Sequence, residues 1–377
     1  MKYGRRAKVL LPLCLLGFTA LCAWRMWPRE GQRPTSVAPS IAATLELSGP
    51  TMGTTWKVTI VGTLNEAEQT QVSDVITREL ADVDVQMSTW RPDSEISSFN
   101  ASSSTAPFKA SKGFVEVVAL ALEIHAASGG AFDVTLAPLI DAWGFGPSGK
   151  RPDAAPTAEQ LATLRARTGA DKLHADLAAG TITKDLPGLS IELSAVAPGY
   201  AADRIAAGLT ALGHTDHMVD VGGEIRVTGE SPQGGPWRLG IERPDSTGGV
   251  VHDVVLLTDQ TSRPFGPAVA LATSGDYRNY YEQGGQRLSH TLDPKTARPI
   301  AHKLASVSVI HRSAALADGW ATALNVLGPD AGLALAEQQA IPALFLVRQD
   351  DGSFAERTTT PFAALRPARP RATLDPP

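Results

Sequence analysis

The sequence predicts an α+β fold in one large body. Segments with the two-residue alternation of strands are interleaved with segments of helical spacing, and no regular βαβ repeat runs through them. Neither GxGxxG opening a helix nor GxxxxGK[ST] is present, which argues against a Rossmann domain and a P-loop. The 377 residues are 43% hydrophobic and 19% charged, which is ordinary for a protein with a sizeable core.

Strands and helices can be placed along this body from local signals. Helices are predicted where a capping residue precedes apolar residues at helical spacing and where glycines follow. They cover residues 65–87 with Asn65 as the cap, the segment from Ser111 to Gly129, a short helix opened by a capping box of Thr157 and Gln160, residues 198–212 and residues 313–327. Strands are predicted at residues 44–47, 55–61, 189–193, 218–221, 223–227, 237–241, 251–257, 269–273 and 304–310. Residues 131–146 carry many apolar and small residues and are expected to form a buried turn.

The first 27 residues are typical of an export element. Four basic residues within the first eight precede an apolar run from Val9 to Trp24, which is long for a signal-peptide core and short for a spanning helix. The cleavage-site pattern is poor, and Leu21 before Cys22 fits a lipoprotein signal badly, so an uncleaved membrane anchor is favoured over a cleaved signal. We expect a linker at 28–43, one catalytic domain at 44–367 and a flexible tail at 368–377.

Charge and cysteine usage exclude several kinds of site. The formal net charge is −5 and no basic stripe is present, so a nucleic-acid partner is not expected. Both cysteines, Cys14 and Cys22, lie in the N-terminal apolar run, so the body has no disulfide and no thiolate site. A metal in the body would need oxygen or imidazole ligands, which favours Mg²⁺ or Ca²⁺ over zinc.

Asp318 and Thr322 form the first candidate site. They are four residues apart in a predicted helix and therefore share one face. A carboxylate beside a hydroxyl offers hard oxygen ligands suited to Mg²⁺. The alternative is an exposed aspartate and a buried threonine without a function.

Two stretches of small residues are further candidates. In residues 192–200, ELSAVAPGY, a predicted strand gives way to small residues at a helix start, where free amides can bind phosphate and a carbonyl can meet a metal. In residues 219–224, VDVGGE, two glycines allow either close approach of a ligand or a β-bulge. Each stretch is also compatible with a plain connection between elements.

Residues 272–300 predict a hairpin that is rich in hydrogen-bonding groups. Thr273, Ser274, Asp276 and His290 lie near the ends of its strand-like pieces. Histidine can act as a general base near neutral pH, although a lone histidine is also a common structural hydrogen-bonder. The hairpin is therefore either a surface element or part of a site.

Eight motifs together resemble the FAD:protein FMN transferases, also called the ApbE family. They are PTMGTTW, MSTWRPDSEISSFN, GAFDVTLAPLIDAWGFG, LSAVAPGYAADRIA, VDVGGEIRVTG, ATSGDYRNYYE, LSHTLDPKTARPI and ADGWATALNVLG, in this order between about residues 45 and 362. Each motif alone is weak, but eight in order make an accidental similarity very improbable. The resemblance implies largely antiparallel sheets with helices around a central cleft, in one two-lobed catalytic domain.

The resemblance also implies roles for particular residues. Met52, Trp90, Ala131, Phe132 and Asp133 would contact the flavin or the adenosine of FAD, Glu192 falls where many members have aspartate, and Thr273, Ser274, His290 and Leu292 would lie beside the diphosphate. The main chain of Ala195, the side chains of Asp318 and Thr322, and backbone near Ala321 would hold Mg²⁺. Position 198 carries lysine in many members; Pro198 has no charge and no N–H, so that contact is lost here.

The implied reaction is Mg²⁺-dependent transfer of FMN from FAD to a threonine or serine hydroxyl of a partner, with release of AMP. His290 is the preferred base and Asp276 the alternative. The implied partners are subunits of membrane redox complexes on the periplasmic side of the inner membrane. Two alternatives stay open: a Mg²⁺-dependent FAD pyrophosphatase, and a periplasmic flavin-binding protein without catalysis.

Overall fold

A computed structural model describes residues 41–245, 249–257, 268–277 and 279–366. The chain divides into two units, Met1–Ser40 and Ile41–Pro377. The predicted anchor, most of the linker and the tail at 368–377 lie outside the described residues, so their boundaries stay predictions. No helix within the described ranges is long and apolar enough to span a bilayer.

An antiparallel sheet is the centre of the described fold. Its strands lie in the order β1, β2, β6, β7, β10, β15, β16, β17, and each neighbouring pair is antiparallel. Their bounds are β1 Thr44–Thr51, β2 Thr54–Val61, β6 His217–Val221, β7 Glu224–Thr228, β10 Ala268–Gly275, β15 Leu304–His311, β16 Ala343–Arg348 and β17 Phe354–Thr358. The predicted largely antiparallel α+β class is confirmed.

Smaller strand groups surround this sheet. They are β3 Phe108–Lys109 with β4 Leu173–Asp176 and β5 Thr181–Lys184, the pair β8 Trp237–Glu242 and β9 Val251–Leu257, the pair β11 Tyr280–Gln283 and β12 Gln286–Ser289, and the pair β13 Leu292–Asp293 and β14 Arg298–Pro299. The last two pairs occupy the hairpin predicted within residues 272–300.

Helices cover one face of the sheet. They are α1 Glu66–Met87, α2 Glu95–Ala101, α3 Lys112–Ala127, α6 Ala197–Ala211 and α7 Ala314–Gln338. Helices α4 Ala137–Ala142 and α5 Ala158–Arg165 share a separate apolar cluster, and α8 Thr360–Ala363 packs on the opposite side of the sheet. The predicted capping box of α5 is present, with the Thr157 hydroxyl accepting from the Gln160 amide at 3.2 Å. The predicted end at Gly328 corresponds to a break inside α7, where Gly328 has φ 76° before the helix resumes.

The strand alternation divides the core between the two faces. Along β10, Ala270 and Ala272 face the helices, whereas Val269 and Leu271 face the β8–β9 pair. A larger apolar cluster therefore lies between sheet and helices, and a smaller one lies between the sheet and β8–β9. The sheet is buried on both sides where β10 passes through it, which makes the end of β10 a rigid platform.

Two local predictions were wrong. Residues 189–193 are buried but not a strand, because Ile191 pairs with the side chain of Asn100 through two bonds of 2.8 Å and the Glu192 amide donates to Val134 O at 2.8 Å. These bonds replace a strand ladder. Residues 131–146 are buried as expected but contain a 3₁₀ turn at Val134–Leu136 and then α4, so they are helical rather than a simple turn.

Candidate active site

A cavity of about 560 Å³ opens where β10 ends. The ends of β2, β8 and β10, the β6–β7 turn, α7 and the loops before α4 and α6 all contribute to its lining. It brings together most of the residues singled out in the sequence: Ala131, Phe132, Asp133, Glu192, Ala195, Thr273, Ser274, His290, Leu292, Asp318 and Thr322. Segments separated by almost two hundred residues in the chain thus share one site.

Asp318 is a strongly perturbed carboxyl group of the cavity. Asp318 is only 7% exposed to solvent, and the Gly199 amide donates a long hydrogen bond of 3.4 Å to its Oδ2 atom. Burial, together with the nearby carboxylate of Glu192, raises the pKa of Asp318 to about 8. A carboxyl group buried with so little compensation would be stabilised in its charged form by a bound cation.

The N-terminus of α7 is fixed by a carboxylate from α6. Asp203 accepts from the Ser313 hydroxyl at 2.7 Å and from the amides of Ala314 and Ala315 at 2.9 and 3.1 Å. It also pairs with Arg226 of β7 at 2.6 Å. These bonds satisfy first-turn amides of α7 and place a negative charge at its positive end, which stabilises the helix that carries Asp318.

Close packing of α6 against α7 completes this arrangement. Gly199 in the first turn of α6 lies so near the start of α7 that a Cβ atom there would be 2.4 Å from the Ala314 oxygen. Pro198 precedes it at the N-terminal end of α6 and does not line the cavity. Gly199 is therefore the residue of this pair that packs against α7 and approaches the site.

The turn before α6 carries Glu192 and Ala195. Ser194 donates to the Glu192 carboxylate through its amide at 2.8 Å and its hydroxyl at 2.6 Å. Burial nevertheless raises the pKa of Glu192, because loss of hydration outweighs the bonds from Ser194. Both residues of the turn line the cavity opposite α7.

The end of β10 provides two hydroxyl groups. Thr273 Oγ1 and Ser308 Oγ of the neighbouring strand are 2.7 Å apart. Asn325 Nδ2 of α7 donates to Ser274 Oγ at 3.2 Å, so the Ser274 hydroxyl keeps its own proton for an acceptor in the cavity. These hydroxyl groups are suited to an anionic ligand.

His290 is held in one tautomer. Its Nδ1 lies 2.9 Å from the main-chain oxygen of Asn279, and a carbonyl oxygen can only accept, so Nδ1 carries the proton. Nε2 then keeps its lone pair. Burial lowers the pKa of His290, against the opposing effects of the Asn279 carbonyl and Asp276, so the ring is neutral near neutral pH.

Asp133 is used locally as well as lining the cavity. Its Oδ1 accepts from the Thr135 amide at 2.8 Å and hydroxyl at 2.6 Å, and its Oδ2 accepts from the Ala170 amide at 3.3 Å. Phe132 beside it is 2% exposed. The segment is therefore rigid where it meets the cavity.

Four other sequence candidates lie outside the cavity lining. Met52 occupies the β1–β2 turn with φ 47°, and Trp90 lies between α1 and α2 with 67% of its surface exposed. Ala321 is fully buried within α7. The Asp276 carboxylate accepts from Arg348 at 2.8 and 3.1 Å, an ion pair that disfavours a role as base.

The sequence analysis missed part of the lining. Thr54, Thr55 and Lys57 enter from β2, next to the motif in which only Met52 was singled out. The glycines of the β6–β7 turn do line the cavity, so their neighbourhood is more than a plain connection. Among the residues that the structure describes, the lining includes Lys57, which pairs with Glu46 at 3.1 Å, and several carboxylate residues, namely Asp133, Glu192, Asp220, Glu224, Glu242 and Asp318.

The residues present fit a hard divalent cation. Asp318 and Thr322 line the cavity one helical turn apart, with Ala195 also in the lining. Among the described residues no group of three or more His, Cys, Asp or Glu is arranged to hold a metal. The donors near one another are thus one buried carboxyl group and one hydroxyl, with Ala195 also in the lining, and these would suit a hard cation such as Mg²⁺ better than zinc.

Comparison with known proteins gives consistent matches. The family model described as the ApbE family matches residues 52–345. The FAD:protein FMN transferase of Vibrio cholerae serotype O1 is 42% identical over 323 residues, covering 85% of this chain and 93% of that protein. The enzyme of the same name from Klebsiella pneumoniae is 38% identical over 320 residues, covering 84% and 88%.

Solved structures agree with the sequence comparisons. The flavin transferase ApbE from Vibrio cholerae superposes with a TM-score of 0.76 at 41% identity, covering 86% of this chain and 99% of that one. The apo form of the flavinyl transferase ApbE from Pseudomonas stutzeri gives a TM-score of 0.76 at 38% identity, covering 86% and 97%.

Proposed function

The chain belongs to the ApbE family, and from this premise we propose that it is a FAD:protein FMN transferase. It would move FMN from FAD to a threonine or serine hydroxyl of an acceptor protein through a phosphoester bond, with release of AMP. The names of its relatives support this activity, and a cavity of about 560 Å³ is large enough for a bound organic ligand.

The observation that supports a metal requirement is the burial of Asp318 near Glu192 in the cavity, where burial raises the pKa of both carboxyl groups. The diphosphate of FAD would bring further negative charge next to them. Such a substrate needs a cation. Asp318, Thr322 and the main chain of Ala195 would hold Mg²⁺, which when bound polarises the diphosphate and neutralises the charge of the leaving phosphate.

The chain's own groups have separate tasks in this reaction. The Thr273 and Ser274 hydroxyls and Lys57 bind phosphate oxygens. His290 accepts the proton of the acceptor hydroxyl at Nε2, because Nδ1–H is already committed to the Asn279 carbonyl. The acceptor oxygen forms a bond to the FMN phosphorus as the bond to the AMP oxygen breaks, so AMP leaves with the bridging oxygen.

We also propose that the body acts on the periplasmic side of the inner membrane, on subunits of membrane redox complexes. The basic start and apolar run of residues 1–27 support export. Protease treatment of intact spheroplasts should digest the body if it is exported. Protection from the protease, lost only after lysis, would contradict this location.

The test of function is incubation of the full chain with FAD, Mg²⁺ and candidate acceptors encoded beside its gene. We expect an FMN adduct on the acceptor by mass spectrometry and one AMP released per adduct. AMP without an adduct on any acceptor would identify a pyrophosphatase. FAD binding without AMP release would identify a flavin-binding protein and overturn the enzymatic proposal.

Variants at Asp318 test the metal assignment in the same assay. Asp318→Asn removes the buried charge but keeps the side-chain size, and we expect adduct formation to fall at least about 100-fold because metal-ligand losses act directly on the reacting charge. Asp82→Asn, at an exposed position of α1, is the matched control and should react normally. Adduct formation by Asp318→Asn at the unaltered rate would refute the metal site.

A further inference from the structure

Helix α7 is interrupted just after the turn that lines the cavity. Gly328 has φ 76° and ψ −175°, and Pro329 follows it. Proline has no N–H, so the carbonyl of Asn325, four residues earlier, receives no intrahelical hydrogen bond from that position. A side chain supplies the donor instead: Nε2 of His302, which precedes β15, lies 2.8 Å from the Asn325 oxygen.

The second ring nitrogen of His302 fixes the tautomer. The Leu304 amide donates to Nδ1 at 3.3 Å, so Nδ1 holds the lone pair and Nε2 carries the proton that the Asn325 carbonyl accepts. The ring fits because residue 328 is glycine: a Cβ atom there would lie 2.8 Å from the Cδ2 atom of the ring. The break in α7 is therefore built around a hydrogen bond that fixes the main chain of Asn325.

The side chain of Asn325 lies directly behind the cavity lining. It is fully buried, and its Nδ2 donates to the hydroxyl of Ser274, which does line the cavity, at 3.2 Å. Within the part of the chain that the structure describes, its Oδ1 has no hydrogen-bond partner. A buried amide oxygen without a partner costs stability, and leucine has the same branched outline without that cost. Packing alone therefore does not explain an amide at this position.

A donor on the Ser274 oxygen determines where the hydroxyl proton goes. The alternation along β10 places the Ser274 side chain on the same face as Ala270 and Ala272, which is the face covered by the helices. Because its oxygen accepts from Asn325 Nδ2, the hydroxyl cannot donate to that nitrogen, and its proton is left for another acceptor. In the proposed reaction the acceptor within the cavity is a phosphate oxygen.

We propose that His302 and Asn325 are positioning residues for the reaction, which together orient the Ser274 hydroxyl so that it donates to the diphosphate of the substrate. His302 fixes the main chain of Asn325, and the Asn325 amide fixes the Ser274 oxygen. Neither of these two residues lines the cavity, so only Ser274 touches the substrate. This rests on the proposed binding of FAD in the main cavity.

The experiment measures the affinity of the full chain for FAD and for riboflavin, in Mg²⁺ and without an acceptor protein, from the quenching of flavin fluorescence. In Asn325→Leu we expect the Kd for FAD to rise about 3- to 10-fold, which is the range for one neutral hydrogen bond. Riboflavin has no phosphate, so its Kd should not change. Gln69→Leu, an amide-to-leucine change on α1 outside the lining, is the matched control and should leave both affinities unaltered.

A double-variant cycle separates positioning from support of the helix. Ser274→Ala should weaken FAD binding by a similar factor, and adding Asn325→Leu to it should cause no further loss, because Asn325 acts through Ser274. Urea unfolding should show no loss of stability in Asn325→Leu, since the unpartnered oxygen is removed with the amide. Additive losses of FAD affinity in the double variant would contradict a role through Ser274.

Variants at His302 test the outer step and decide the proposal even if Asn325→Leu does not fold. His302→Phe keeps a ring but removes the donor, and we expect the Kd for FAD to rise about 2- to 5-fold, less than in Asn325→Leu because the amide remains. His302→Gln, whose amide nitrogen reaches about as far as Nε2, should restore the affinity. Equal weakening in the two folded variants would contradict the role of the His302 hydrogen bond.

The outcomes separate this proposal from the function on which it rests. If the unaltered chain does not bind FAD, the proposed function fails and the positioning proposal fails with it. If the unaltered chain binds FAD and folded Asn325→Leu binds it equally well or more tightly, the positioning proposal alone is overturned. An equal loss of riboflavin affinity in Asn325→Leu would indicate a general disturbance of the cavity and would also overturn it.

Discussion

Replacing Gly199 by alanine should damage the metal site without touching a metal ligand. A Cβ atom at this position would lie 2.4 Å from the Ala314 oxygen and 2.8 Å from the Ala315 Cα. These are main-chain atoms at the start of α7, where the bonds to Asp203 hold the backbone in place. The clash can be relieved only by moving α6 and α7 apart.

The size of this effect follows from the contact distance. An ordinary Cβ contact begins near 3.4 Å, so the helices must separate by about 1 Å. Overpacking of this kind costs about 1–3 kcal/mol of unfolding free energy. The same movement displaces the turn with Ala195 from Asp318, and changes in the support of a metal site typically cost about 10- to 100-fold in metal affinity.

Gly208→Ala is the matched control for this substitution. It lies on the same helix, and its added Cβ would meet Val75 Cγ1 of α1 at 2.5 Å, so it overpacks a buried contact outside the cavity lining. Urea unfolding of both variants would compare their stability, and calorimetric titration with Mg²⁺ would separate an effect on the site from general destabilisation. Mg²⁺ affinity of folded Gly199→Ala equal to that of Gly208→Ala would refute the proposed coupling between helix packing and the site.

Two histidines give further predictions. His290→Asn should slow transfer about 100-fold or more while FAD binding is unchanged. In the unaltered chain the transfer rate should fall only at acidic pH, because burial lowers the pKa of His290. Full transfer by the variant from about pH 6 to pH 8 would exclude the base role. His217 is fully buried, and burial lowers its pKa from 6.5 to about 4. Because the unfolded chain binds this proton first, the unfolding free energy should be greatest above about pH 6.5 and fall by up to about 3 kcal/mol as the pH drops towards 4. Urea unfolding of His217→Gln should show a shallower pH slope, and an unchanged slope would contradict the assignment.

Local signals in the sequence were sufficient where the cause of structure is local. Asn65 and Thr157 cap their helices as predicted because a capping box depends on residues three apart. Residues 189–193 were misassigned because a buried apolar run looks the same whether it pairs with a strand or with Asn100, which lies 91 residues earlier in the chain. The spacing of apolar residues in 189–193 does not indicate that Asn100 is the hydrogen-bonding partner of this segment.

The candidate site shows the same division. Asp318 and Thr322 could be paired from their helical spacing, and eight motifs in order indicated the family. Asp276 was predicted as an alternative general base. Its carboxylate pairs with Arg348, 72 residues later in the chain, and only the structure shows this ion pair. Trp90 likewise lies exposed outside the cavity lining, although its motif predicted a flavin contact.

The sequence by itself determined the α+β class, the lack of thiol chemistry in the body, the family and the helix face with Asp318 and Thr322, because composition, motif order and helical period are properties of the chain. Only the tertiary structure decided that Glu192 and Asp318 are buried in one cavity and that the Asp276 carboxylate pairs with Arg348. Burial and ion pairing depend on residues brought together from distant parts of the chain, so they exist only after folding.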